Sequence, residues 1–120
     1  MTKQITVGYD GSSPSSEAVF WAAAEAKARA ARLRIVSCFD YPMGADPVSG
    51  WVATEAYASV LDGTRRALVQ IRDIVAEAQP GIDVDMEASA GPASLALVDE
   101  VDPDDLIVLG ASSHKGAAAF

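Results

Sequence analysis

Four short β-prone runs, separated by segments of helical character, constrain this chain more than any other feature. The first is Ile5-Thr6-Val7-Gly8-Tyr9, closed by Asp10-Gly11-Ser12-Ser13-Pro14, where serine and proline are well placed to open a helix. Ser15 to Ala31 is rich in alanine, the strongest helix former. Ala18, Trp21, Ala22 and Ala26 recur there at helical spacing, which predicts a packed face of small residues around one tryptophan. Leu33 to Phe39 reads as a second strand, nearly continuous in apolar residues at its end, as buried parallel strands are.

A loop is expected from Asp40 to Val52, where prolines and glycines gather. Thr54 can then cap a long helix running to about Gln79, with Tyr57, Val60, Leu61, Leu68, Ile71, Val75 and Ala78 on one face. Gly63 falls inside that helix and predicts a weak point or kink; Pro80-Gly81 stops it. Ile82 to Ser89 alternates apolar and polar residues, the period of a strand with one exposed face and so of an outermost strand. Gly91-Pro92 opens a short helix to about Val101, and Asp102-Pro103 closes it. The fourth strand, Leu106-Ile107-Val108-Leu109, ends at Gly110 and runs into Ala111-Ser112-Ser113-His114-Lys115-Gly116.

The order β-α-β-α-β-α-β implies a doubly wound α/β fold, a parallel sheet with right-handed crossovers. Ligands of such sheets bind at the carboxyl ends of the strands, where strand order reverses. The loops that matter are therefore Asp10–Ser13, Cys38–Asp40 and Gly110–Gly116. At 120 residues the chain is the size of one domain, and its 50% apolar, 22% charged composition is that of a globular protein.

The formal charge of −8 argues against nucleic acid and anionic membrane surfaces as partners, since both are held by clustered Lys and Arg. A small phosphate ligand is compatible with it, because backbone N–H groups at a helix start bind anions without basic side chains. Cys38 is the one cysteine, so no internal disulfide forms, and no Cys/His spacing points to zinc. With no signal-peptide pattern and no apolar run of membrane-spanning length, a reducing cytoplasmic setting is expected.

The dinucleotide fingerprint G-x-G-x-x-G is missing after the first strand, and neither a P-loop nor a G-x-S-x-G elbow occurs. One His and one Cys without helpers make hydrolase chemistry a poor fit. A phosphorelay receiver has the same alternation at this length, but it needs clustered carboxylates after the first strand and an Asp ending the third. Here Asp10 stands by itself and the third strand ends in Ser89-Ala90-Gly91.

What remains is an acid after strand one and a Gly/Ser turn after strand four. At these positions the sequence resembles the universal stress protein family. The matching stretches are Ile5 to Ser12, then Ser16-Glu17-Ala18 with Trp21-Ala22, and Ala31-Arg32-Leu33. Further on come Gly91-Pro92-Ala93 and Asp104-Asp105-Leu106-Ile107-Val108-Leu109-Gly110. Their order and spacing span nearly the whole chain. The resemblance implies strand order 3-2-1-4, the fold shared with adenine nucleotide α-hydrolases, and a stress-response protein that acts as a homodimer.

In the nucleotide-binding branch of that family, the residue matching Asp10 hydrogen-bonds the ribose, and one matching Cys38 lies against the adenine. The phosphates sit on a loop G-x2-G-x9-G-[ST] after strand four. Gly110 matches its first glycine, Ser113 stands where the second is expected, and the final Gly-Ser/Thr falls beyond Phe120. The resemblance thus implies ATP or another adenine nucleotide as ligand, with Mg²⁺ only beside a triphosphate. The residues to inspect are Asp10, Gly11, Ser12, Cys38, Gly110 and Ser113, with no catalytic residue and no resident metal. Ser113 departs from glycine where backbone must approach phosphate closely, and this favours the competing reading of a nucleotide-free interaction and dimerisation module.

Plainer readings stand beside each of these. Asp10 is also a good turn or helix-capping residue, and Cys38 a small buried hydrophobe. Ser112, Ser113 and His114 read equally as a solvated loop. Trp51 reads as an interface anchor or as a loop residue packed on its own domain. Chains of this family normally continue through a last helix into a fifth strand. Residues 1–120 are accordingly expected to be a single domain lacking that helix and strand, which leaves strand four as an apolar edge.

Overall fold

The structure, a computed structural model, describes residues 2–39, 51–91, 97 and 101–110, and the backbone alone for residues 51–54. Its elements are β1 (Gln4–Gly8), α1 (Ser13–Arg29), β2 (Arg32–Phe39), α2 (Trp51–Ala78), β3 (Val84–Ala90) and β4 (Leu106–Val108). The four strands form one sheet in the order β3-β2-β1-β4, and every pairing is parallel. The chain lays β2 and then β3 on one side of β1, and then returns to place β4 on the other. Order reverses between β1 and β4, as expected for a doubly wound sheet.

Alternation along the strands divides the side chains between two faces. Ile5, Val7, Leu33 and Ile35 point to the first face, where they meet α1 and α2 in one buried core. α1 contributes Ala18, Val19, Ala22, Ala23 and Ala26, small residues that let the helix lie close to the sheet. Trp21 is not among them and stands 52% exposed. A helix turns about 100° per residue, so position 21 falls well off the stripe through 15, 19, 22 and 26. Ser12 caps α1 by accepting from Ser15 N, and Ala30 ends the helix in the left-handed conformation, with its N–H on Lys27 O at 3.3 Å.

α2 begins at Trp51, so Trp51 and Val52 belong to the helix and not to the preceding loop, and Thr54 lies within its first turn. It runs unbroken through Gly63, where its hydrogen-bonded backbone tolerates the missing side chain. At 28 residues it is about 42 Å long, against about 26 Å for the eight residues of β2. Its second half packs on the sheet through Leu68, Ile71 and Val75, whereas no residue from Glu55 to Ala67 is buried. Val60 and Ala78, expected on the packed face, are exposed because one lies in the overhang and the other at the helix end. The ring of Tyr57 sits 5.6 Å from that of Phe39, the last residue of β2. The overhang therefore rises beyond the carboxyl end of the sheet.

The second face carries Thr6, Gly8, Arg34, Val36 and Cys38. Within β2, Arg34 is buried and reaches diagonally across to Glu87 on β3 at 2.7 Å. β3 is half-buried along its length, as an edge strand is. Leu97, described within the short segment after β3, is buried against Val36 and Cys38. The helix expected around it and the turn Ala111–Gly116 lie otherwise outside the described residues.

The contrast between Leu33 and Trp21 is measurable by chemical denaturation. Leu33→Ala removes a fully buried side chain from the centre of the core and should cost about 2–5 kcal/mol. Trp21→Ala should cost at most about 1 kcal/mol. A larger loss for Trp21 would contradict the packing described.

Candidate functional site

Because β1 and β4 run parallel and side by side, the residues leaving them emerge at the same end of the sheet. β1 is held there by two cross-links to β2. Tyr9 N donates to Val36 O at 2.8 Å, and Ser37 Oγ donates to Tyr9 O at 2.7 Å. The chain then turns through Gly11, whose φ of +84° suits glycine, and enters α1.

Asp10 sits in this turn. Its carboxylate oxygen Oδ1 accepts from Ser12 N at 2.9 Å, and its own N–H donates to Ser15 Oγ at 3.2 Å. Hydrogen bonds from the Ser12 side chain, the Ser12 backbone and Ser15 hold the Asp10 carboxyl below the usual aspartate range, against a small opposing effect of burial. Asp10 is thus an ionised acceptor at the solvent-facing mouth of the sheet.

Gly110 meets this turn from the β4 side. A Cβ placed on it would lie 2.6 Å from Pro14 O and 2.9 Å from Ser15 N, so backbone rests on backbone here. At Gly8, on the second face, an added Cβ would only make ordinary contact, 3.4 Å from Leu109 Cδ2 and 3.6 Å from Leu97 Cδ2. Gly110 is therefore brought against the start of α1, just after the turn that carries Asp10, Gly11 and Ser12.

Cys38 lies at the same end of the sheet, near the end of β2 and on the second face beside Val36 and Leu97. Burial, then the nearby Glu87 charge, push its thiol up, while Arg34 opposes them. A protonated, partly buried thiol is a small apolar wall and a poor nucleophile. With Val36 and Leu97 it forms a small apolar cluster on this face. Ser113 lies outside the described residues.

Sequence reasoning missed two contributors, Ser15 and Ser37. The sequence signal for Ser15 was a serine five places after the acid, which the structure buries. Ser37 declares itself only through its bond across strands to Tyr9 O.

A family model for the universal stress protein family matches residues 1–120. The chain belongs to the universal stress protein family. Among solved structures, universal stress protein UspA from Lactobacillus plantarum is similar with a TM-score of 0.78 at 23% identity, over 98% of this chain and 83% of that one. A protein from Mycobacterium tuberculosis is similar with a TM-score of 0.62 at 27% identity, over 92% of this chain and 71% of that one. A universal stress protein in complex with cAMP gives a TM-score of 0.53 at 26% identity, over 81% of this chain and 61% of that one. A search of curated proteins returned no significant match.

A concavity of about 740 Å³ lies at the opposite, amino end of the sheet and is lined by Lys27, Arg32, Pro80, Asp83, Asp102 and Asp105, among others. Its polar groups are largely engaged with one another. Arg32 pairs with Asp83 and Asp85, Lys27 Nζ donates to Pro80 O at 2.6 Å, and Asp105 accepts from Gln4 N and Asp102 N. In open α/β sheets ligands bind at the other end, outside the carboxyl ends of the strands. Among the described residues, no helix is long and apolar enough to cross a membrane.

The close approach at Gly110 can be tested against an open glycine. Gly110→Ala should cost about 1–3 kcal/mol by forcing Pro14 away from β4. Gly63→Ala, with nothing within 4 Å, should gain about 0.5–1 kcal/mol. Equal effects in thermal denaturation would contradict the packing of Gly110 on the start of α1.

Proposed function

We propose that this universal stress protein binds an adenine nucleotide in the crevice between β1 and β4, without strong catalysis. The observation that carries the proposal is that β1 and β4 run parallel and adjacent, so that Asp10 and Gly110 leave the same end of the sheet, Gly110 resting on the backbone of Pro14 and Ser15. In this reading Asp10 accepts from the ribose hydroxyls, and Cys38 with its apolar neighbours faces the adenine. Gly11 and Ser12 bring backbone close to the ligand. The phosphates lie toward Gly110, near the positive end of α1. The structurally similar universal stress protein in complex with cAMP supports the choice of an adenine nucleotide.

A carboxylate held below its usual pKa by hydrogen bonds is a weak general base near neutrality, so any ATP hydrolysis should be slow. Mg²⁺ enters only with a triphosphate. The setting proposed is the cytoplasm, where a lone cysteine stays reduced, and the working form a homodimer of single domains.

The competing reading is a nucleotide-free interaction module of the same fold. Its support is the exposed apolar surface of Leu109, 64% exposed, and Ile107 on the β4 side.

Calorimetric titration of ATP, AMP and cyclic AMP separates the two. Saturable heat is expected for at least one of them, with affinity falling at least about tenfold in Asp10→Ala through loss of charge-assisted hydrogen bonds. No heat from any of the three at about millimolar ligand would leave the interaction module standing.

A further inference from the structure

We propose that Ser15 is the positioning residue of this crevice, the side chain that fixes the Asp10 turn in the direction a ribose would require; the inference rests on the nucleotide reading above. Helix capping by itself does not need the Ser15 hydroxyl. The cap is formed by Ser12 Oγ accepting from Ser15 N at 3.3 Å, and it uses only the Ser15 backbone. The Ser15 side chain is nonetheless buried to 6% exposure, and its oxygen is fully engaged.

That oxygen accepts from Asp10 N at 3.2 Å and from Ser12 Oγ at 3.2 Å, and donates to Ser12 O at 3.0 Å. All three partners belong to the segment that carries the Asp10 carboxylate. The same residue's backbone N lies where β4 arrives, 2.9 Å from the place of a Cβ on Gly110. One buried hydroxyl thus ties the exit of β1 to the first turn of α1, at the point where the exit of β4 packs against both. Removing it frees Asp10 N and relaxes the turn, so that Asp10 must be ordered anew when ligand arrives. The Ser12 N–H that donates to the Asp10 carboxylate at 2.9 Å belongs to the same turn, so the lowered Asp10 carboxyl depends on the order that the Ser15 hydroxyl supplies.

The test combines a ligand-free and a ligand-bound readout on the intact chain. In Ser15→Ala, the Asp10 carboxyl titration followed by ¹³C NMR without ligand should move up toward the ordinary aspartate range. AMP affinity by calorimetry should fall about tenfold. Ser15→Thr keeps a hydroxyl and should restore the Asp10 titration, while Ser16→Ala, one residue along the helix, should change neither. An unmoved Asp10 titration in Ser15→Ala would overturn the proposal, even if affinity fell, because the loss would then be merely structural. Should the wild-type protein bind no AMP, ATP or cyclic AMP, the nucleotide reading fails and the titration still decides whether Ser15 holds Asp10.

Discussion

The pairing of β1 with β4, Ile5 against Leu106 through Val7 against Val108, is the contact on which the rest of the molecule turns. It places β4 on the side of β1 away from β2, and so creates the reversal of strand order. Two loops that are about a hundred residues apart in sequence then leave the sheet from adjacent strands. Had β4 joined beside β3, Asp10 and Gly110 would lie across the width of the sheet and share nothing. The pairing itself follows from apolar burial: β1 is buried through Ile5, Thr6 and Val7, and a strand in the middle of a sheet needs backbone partners on both sides.

A small residue stands where backbone has to approach backbone: Gly110 admits Pro14 and Ser15, while the alanines of α1 let the helix lie close to the sheet. Serine hydroxyls supply the polar closure. Ser37 pins Tyr9, Ser12 caps the helix and Ser15 ties Asp10, so the turn is defined by short local bonds. Against this order, the charged seam at the amino end of the sheet has spent its hydrogen-bonding capacity largely on itself.

Parallel pairing and the identity of the four strands were legible in apolar runs and turn residues, and the strand order came through the resemblance to the universal stress protein family. The positions of Asp10 and Gly110 just after adjacent strands were legible in the same way. Trp21 was misplaced because its spacing from Ala18 matches a helical face while its angle lies off the stripe toward the sheet. Val60 was misplaced because periodicity reports which side of α2 is apolar, not how far the sheet extends beneath it. Arg34 was overlooked, since only the register of β2 on β3 brings Glu87 within reach of it. Ser15 and Ser37 looked like ordinary polar residues until the fold enclosed them.

Mapping amide shifts by ¹⁵N NMR during an AMP titration tests the location of the site most directly. The largest changes should fall on Asp10 to Ser15, Cys38 and Gly110, at the carboxyl end of β1, β2 and β4. Changes centred on Lys27, Arg32 and Ile82 at the other end of the sheet would contradict the account, whatever the affinity.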